Sequence, residues 1–152
     1  MPRRTALIVA VPEAAAYYDD GNGAPAHVTV LFPFVDPELV DEMALADLFA
    51  GFRPFDFVLD RLEHFDDGTP WLRPVPSARF VDLTAAVWQR WPTHAPYEGA
   101  FDEPIPHLTV TTPDVRLPIA ARAREVTLIE ERRTDRRWEV RRAFPLGNQG
   151  VA

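Results

Sequence analysis

The chain has 152 residues, 47% of them hydrophobic and 26% charged, the composition of a globular protein rather than of a disordered or membrane-spanning one. Its formal net charge is −7 and all 16 basic residues are arginine, which argues against non-specific binding of long duplex nucleic acid and excludes chemistry through a lysine adenylate. Cysteine is absent, so disulfides, thiolate metal sites and thiol nucleophiles are excluded and the expected compartment is the cytoplasm.

Leu7-Ile8-Val9-Ala10-Val11 is apolar on both faces and reads as a central strand. With Arg3-Arg4 before it and Ala14 to Ala16 after it, this stretch imitates a leader peptide, but Pro12-Glu13 interrupts the run. No stretch approaches the ~20 apolar residues that a membrane helix needs. Glu13 to Tyr18 predicts a short helix, and Asp19-Asp20-Gly21-Asn22-Gly23 a turn-rich loop. The loop delivers the chain to Ala26-His27-Val28-Thr29-Val30-Leu31-Phe32-Pro33-Phe34, a strand that Phe34 ends. Strict alternation puts Phe32 with Val28 and Val30 on the core side, away from His27.

Asp36-Pro37 then predicts a helix start, with Asp36 as cap. Leu39, Val40, Met43, Leu45, Ala46, Leu48 and Phe49 supply its apolar face, and Gly51 stops it. Phe55 to Phe65 and Trp71 to Val75 predict a hairpin about Asp66-Asp67-Gly68, with Pro74 favouring an edge or an early end. Ser77 is the predicted cap of a second helix whose Phe80, Val81, Leu83, Val87, Trp88 and Trp91 face the core. A loop from Thr93 to Pro106 leads to Pro106-His107-Leu108-Thr109-Val110. Pro118 to Arg124 predicts a short helix, and Val126 to Arg132 with Trp138 to Leu146 a final hairpin about Thr134-Asp135. In its second arm Trp138, Val140, Phe144 and Leu146 alternate with polar or small residues. Residues 148–152 are an expected disordered tail, and 1–147 a single domain. The order of elements is that of an α+β protein.

Two stretches stand out chemically. His27-Val28-Thr29-Val30 and His107-Leu108-Thr109-Val110 share the pattern H-x-T-x, with apolar residues at x. On a strand each motif puts its imidazole and hydroxyl on one face and its apolar residues on the other. One imidazole can take a proton from an attacking oxygen while another gives one to a leaving oxygen, since histidine titrates near ~6.5. Threonine hydroxyls can donate to phosphate oxygens. Two such pairs would clamp a phosphodiester.

The doubled H-x-T-x, with Leu31-Phe32-Pro33-Phe34 after the first and Pro106 before the second, resembles the two-histidine (2H) phosphoesterase superfamily near its bacterial 2′–5′ RNA ligase-like branch. The resemblance runs from about Thr5 to Gly147. It implies two pseudo-symmetric lobes of mostly antiparallel sheet backed by helices, with the active cleft between them. It also implies hydrolysis of a 2′,3′-cyclic phosphate, on a nucleotide or an RNA 3′-end, to a 2′-phosphate. His27 would protonate the leaving oxygen, His107 would activate water, and Thr29 and Thr109 would hold the phosphate. No metal or other cofactor is implied, and a monomer is expected. Tyr97 and Phe101 could stack on a base, and Arg73 and Arg116 could reach the phosphate, although a surface ion pair is the commoner role of such arginines.

Three alternatives stay open: a nucleotide- or phosphate-binding module without turnover, reversible 2′–5′ ligation, and a metal hydrolase using His27, His107 and Asp102 or Glu103. The last fits poorly, because H-x-T is not a ligand pattern like H-E-x-x-H. His64 and His94 read as non-catalytic. Arginines 132, 133, 136, 137, 141 and 142 read as a solvated hairpin interleaved with acidic residues, with an RNA-backbone contact as the alternative.

Overall fold

Eight strands form one sheet in the computed structural model, which describes residues 3–100 and 104–147. In chain order they are β1 Thr5–Ala10, β2 His27–Leu31, β3 Phe55–His64, β4 Pro70–Val75, β5 Leu108–Thr109, β6 Ile119–Ala123, β7 Glu125–Glu131 and β8 Trp138–Pro145. Helix α1 spans Glu42–Ala50, between β2 and β3, and α2 spans Ala78–Arg90, between β4 and β5. The spatial order is β6-β3-β4-β5-β2-β1-β7-β8, and every pairing is antiparallel. The expected lobes are the two four-stranded halves of this sheet, β6-β3-β4-β5 and β2-β1-β7-β8. The two motif strands are its central pair rather than opposite walls.

Burial follows from the sequence alternation. Val28 and Leu108 are Cα partners and both are 0% exposed, whereas His27, Thr29, His107 and Thr109 lie half-buried on the other face. One large core, containing Leu7, Val28, Phe49, Phe57, Phe80, Leu108 and Phe144, lies on the helix-covered face. Phe49 of α1 meets Phe144 of β8, and Phe80 of α2 meets Phe55 and Phe57 of β3. The opposite face carries the side chains of His27, Thr29, His107 and Thr109 and a smaller buried cluster of Ala6, Ile8 and Ile129.

Several local expectations are corrected. Pro37–Leu39 forms only a single 3-10 turn, Asp36 makes no side-chain cap bond, and the extended Val40 separates this turn from α1. The cap of α1 is Asp41, whose Oδ1 accepts from the Ala44 N–H at 3.1 Å. This shift leaves Leu39 72% and Met43 78% exposed, so the buried stripe is Leu45 and Phe49. Replacing Asp41 by Ala removes that acceptor and should lower stability by about 0.5–2 kcal/mol, read as a lower urea midpoint at unchanged slope. Ser77 caps α2 without its side chain, through its carbonyl, which accepts from Phe80 and Val81.

The alanine-rich stretch Ile119–Ala123 is the edge strand β6 rather than a helix. The open edge of β3 overrides helix propensity, because pairing there buries Ala121 and Ala123 in the core. In β8 the pairing slips between Leu128 and Ile129, whose partners are Arg142 and Val140. The skipped Arg141 donates to Glu42 Oε2 at 2.9 Å and to the Pro37 carbonyl at 2.7 Å, and Val140 is left 61% exposed. Arg132, Arg136 and Arg141 reach the hairpin's own Asp135, Glu131 and Glu130 within 4.0 Å, whereas Arg133 and Arg142 reach Glu38 and Glu42 outside it, so the interleaved acids account for only part of the pairing. The 148–152 tail lies outside the described residues.

Candidate active site

The antiparallel partnership of Val28 with Leu108 sets the site. One step to either side, His27 faces Thr109 across the strand pair and Thr29 faces His107. Each motif's hydroxyl therefore flanks the other motif's imidazole, and the four side chains form a compact square on the cleft face.

Both imidazoles are held alike. His27 Nδ1 lies 2.6 Å from the Pro25 carbonyl and His107 Nδ1 lies 2.6 Å from the Ile105 carbonyl, each two residues back along the chain. A carbonyl oxygen can only accept, so Nδ1 carries a proton in both charge states. Nε2 is then the titrating atom of each ring, as an acid–base pair requires. Burial pushes both histidines below their ordinary value, opposed by these backbone bonds. His27 is pushed down further by the nearness of His107 and pulled back up by Asp20, so the two rings are electrostatic neighbours.

The rings differ in their surroundings. His107 is bracketed by Phe65, edge-on at 5.0 Å, and by Trp71 at 6.0 Å; those two stack on each other at 5.0 Å. The Trp71 indole N–H is buried without an acceptor among the described residues. His27 meets the Tyr18 ring edge-on at 5.9 Å, and the Tyr18 hydroxyl donates to Asp20 Oδ2 at 2.8 Å. Burial raises the Tyr18 phenol to about 12, so it stays a donor throughout the working range. The loop holding Tyr18 and Asp20 is tied across the sheet by the Asp19 N–H, which donates to the Thr111 hydroxyl at 2.9 Å. At its far end Gly23, at φ +87, lets the Trp138 carbonyl pass where an added Cβ would meet it at 2.5 Å.

Tyr97 completes the square from outside. Tyr97 and Glu98 are consecutive non-glycine residues in the left-handed region, at φ 50 and 57. The Tyr97 N–H donates to the Phe32 carbonyl at 2.6 Å, and its hydroxyl shares a hydrogen bond with the Thr29 side chain. Tyr97 also separates two hollows. One, of about 550 Å³, has Thr29, Val81, Trp88, Ile105 and Pro106 in its walls; the other, of about 480 Å³, has Phe65, Asp66, Asp67 and His107.

A sequence profile of the 2′-5′ RNA ligase superfamily matches residues 3–148. The chain belongs to the 2′–5′ RNA ligase superfamily. No functionally curated protein is detectably similar in sequence. Among solved structures, that of Escherichia coli LigT complexed with NADP+ is similar at 18% identity and a TM-score of 0.61, over 97% of this chain and 99% of that one. LigT complexed with 3′-AMP gives 19% and 0.61, over 97% and 100%. TT0787 of Thermus thermophilus gives 21% and 0.65, over 96% and 99%. LigT and TT0787 belong to the 2H phosphoesterase superfamily, in keeping with the doubled motif. At these identities the likeness is one of fold.

The structure of this family member brings His27, Thr29, Tyr97, His107 and Thr109 together. It does not bring the arginines. The Arg73 guanidinium forks onto Asp60, with Nε–Oδ1 at 3.2 Å and Nη2–Oδ2 at 3.1 Å, and Arg116 is exposed and lines neither hollow. Phe101 lies outside the described residues, as do Asp102 and Glu103 of the metal alternative. Among the described residues no three His, Cys, Asp or Glu side chains are placed to hold a metal ion. His64 is exposed, and His94 lies beside Phe34 at 6.2 Å.

Phe32 is corrected. The pairing of β1 with β2 skips Val30, since Leu7 faces Leu31 and Ile8 faces Thr29. That bulge reverses the phase and puts Phe32 with Ala6, Ile8 and Ile129 in a second, smaller cluster, edge-on to Tyr97 and Trp138. Val81 and Trp88 are corrected as well: they are 46% and 38% exposed and open into the larger hollow. The neighbours of the histidines, Tyr18, Phe65 and Trp71, were not singled out by the motif.

Proposed function

We propose that this protein hydrolyses a 2′,3′-cyclic phosphate to a 2′-phosphate without a metal ion, using His27 and His107 as acid and base. The observation that carries this reading is the paired clamp of Nδ1 on the Pro25 and Ile105 carbonyls, which leaves two neighbouring Nε2 atoms to exchange protons beside two threonine hydroxyls. The water oxygen bonds to phosphorus as the bond from phosphorus to O3′ breaks. Nε2 of His107 takes the water's proton, and Nε2–H of His27 gives one to O3′. Thr29 and Thr109 donate to the non-bridging oxygens. Solvent then returns the proton from His107 to His27. That LigT has been crystallised with 3′-AMP and with NADP+ supports a cleft of this fold taking a small nucleotide.

Incubation with nucleoside 2′,3′-cyclic phosphates in excess chelator tests the reading, with phosphorus NMR to identify the product. A 2′-phosphate is the expected product; no turnover, or turnover abolished by chelator, overturns the proposal. The pH dependence is a second expected result. Both imidazoles are held below ~6.5, so the free enzyme loses its protonated acid as pH rises through the depressed value. The alkaline limb of kcat/KM should therefore fall below pH ~6.5, as a pH–rate profile would read.

A further inference from the structure

Helix α2 has two apolar stripes and the core uses one. Phe80, Leu83 and Val87 are at most 1% exposed in the core. Val81, Ala85 and Trp88, at i, i+4 and i+7, share another face and open into the hollow beside Thr29. The Thr84 hydroxyl donates to the Val30 carbonyl at 2.7 Å, which fixes this face against the motif strand. The hollow meets the square at one member: Thr29, of the first H-x-T-x motif, is in its wall, as is Pro106, which precedes the second. Its walls are apolar, apart from a few hydroxyls, and offer a large aromatic surface at Trp88.

Charge is the second observation. None of the described residues lining either hollow is an arginine, and the second hollow carries Asp66 and Asp67. Arginines are the strongest partners for additional phosphates, and hollows whose described walls hold none, in a chain of net charge −7, disfavour an additional phosphate.

We infer that the hollow beside α2 is a nucleobase subsite, with Trp88 as its stacking surface, and that the substrate is a lone nucleoside 2′,3′-cyclic phosphate rather than an RNA end bearing further phosphates. This rests on the phosphodiesterase reading. A base stacked on Trp88 sits beside Thr29, so its ribose spans to the phosphate between the motifs. A 5′-phosphate or a preceding nucleotide would meet carboxylates instead of arginines.

The test compares four substrates: a nucleoside 2′,3′-cyclic phosphate, its 5′-phosphorylated form, a trinucleotide ending in a cyclic phosphate, and glycerol 1,2-cyclic phosphate, which has no base. The 5′-phosphorylated form and the trinucleotide should show kcat/KM lower by tenfold or more. Trp88→Ala should raise KM for the nucleoside substrate by about tenfold, leave its kcat and the glycerol substrate unchanged, and be rescued by Trp88→Phe. Equal or better turnover of the longer substrates, or an equal loss on the glycerol substrate, overturns the inference. If wild-type protein hydrolyses no cyclic phosphate, the reaction assignment fails, and the subsite is judged by calorimetry with a nucleoside 2′-monophosphate. Binding weakened by Trp88→Ala supports it, and equal or absent binding overturns it.

Discussion

His27→Ala and His107→Ala should each lower kcat on a nucleoside 2′,3′-cyclic phosphate by about 10²–10⁴-fold, while circular dichroism and the melting temperature stay near wild type. The two roles are distinct, since one ring must be neutral as the other is charged, so neither can substitute for its partner. Both side chains are half-buried on the cleft face rather than packed in the core, which is why the fold should survive. The double variant should lose little beyond the worse of the singles, because groups that act as a unit are not additive. A near-normal rate in either single variant would remove the acid–base pair. The same burial has a sign for stability: each folded-state value is depressed, so the neutral rings' contribution is full above ~6.5 and is lost as pH falls through the folded value. The variants should flatten that slope in pH-dependent urea unfolding.

Phe80→Ala should cost about 3–5 kcal/mol, read by urea unfolding, and lower the melting temperature by roughly 6–20 °C. Phe80 is 1% exposed and stands edge-on between Phe55 at 5.1 Å and Phe57 at 5.0 Å, the contact that seats α2 on β3. Its removal leaves a cavity that two aromatic rings on a strand cannot collapse to fill. That is a large part of the total stability of a chain this size, about 5–15 kcal/mol. Met43→Ala is the contrast: that side chain is 78% exposed, and the change should stay within about 0.5 kcal/mol. Because α2 also carries Val81, Thr84 and Trp88, Phe80→Ala should raise KM before it abolishes folding.

The sequence alone determined what depends on period and chemistry. Alternation in His27-Val28-Thr29 and His107-Leu108-Thr109 fixes which side chains meet solvent, because burying Val28 and Leu108 forces the imidazoles to the other face. The helix after Ser77, the stop of the first helix at Gly51, the hairpin turn at Asp66-Asp67-Gly68 and the family followed from the same local signals. Only the tertiary structure decided matters set by pairing between distant segments. The bulge at Val30 turned Phe32 from the main core to the smaller cluster of Ala6, Ile8 and Ile129, and the slip at Arg141 exposed Val140, since a one-residue slip against a neighbouring strand reverses a face that the strand's own pattern assigns. The free edge of β3 made a strand of Ile119–Ala123, and the packing of α2 left Val81 and Trp88 to a hollow rather than the core. The placement of Thr109 beside His27 and Thr29 beside His107 also lay beyond the sequence, because nothing local specifies that strands eighty residues apart run antiparallel in register.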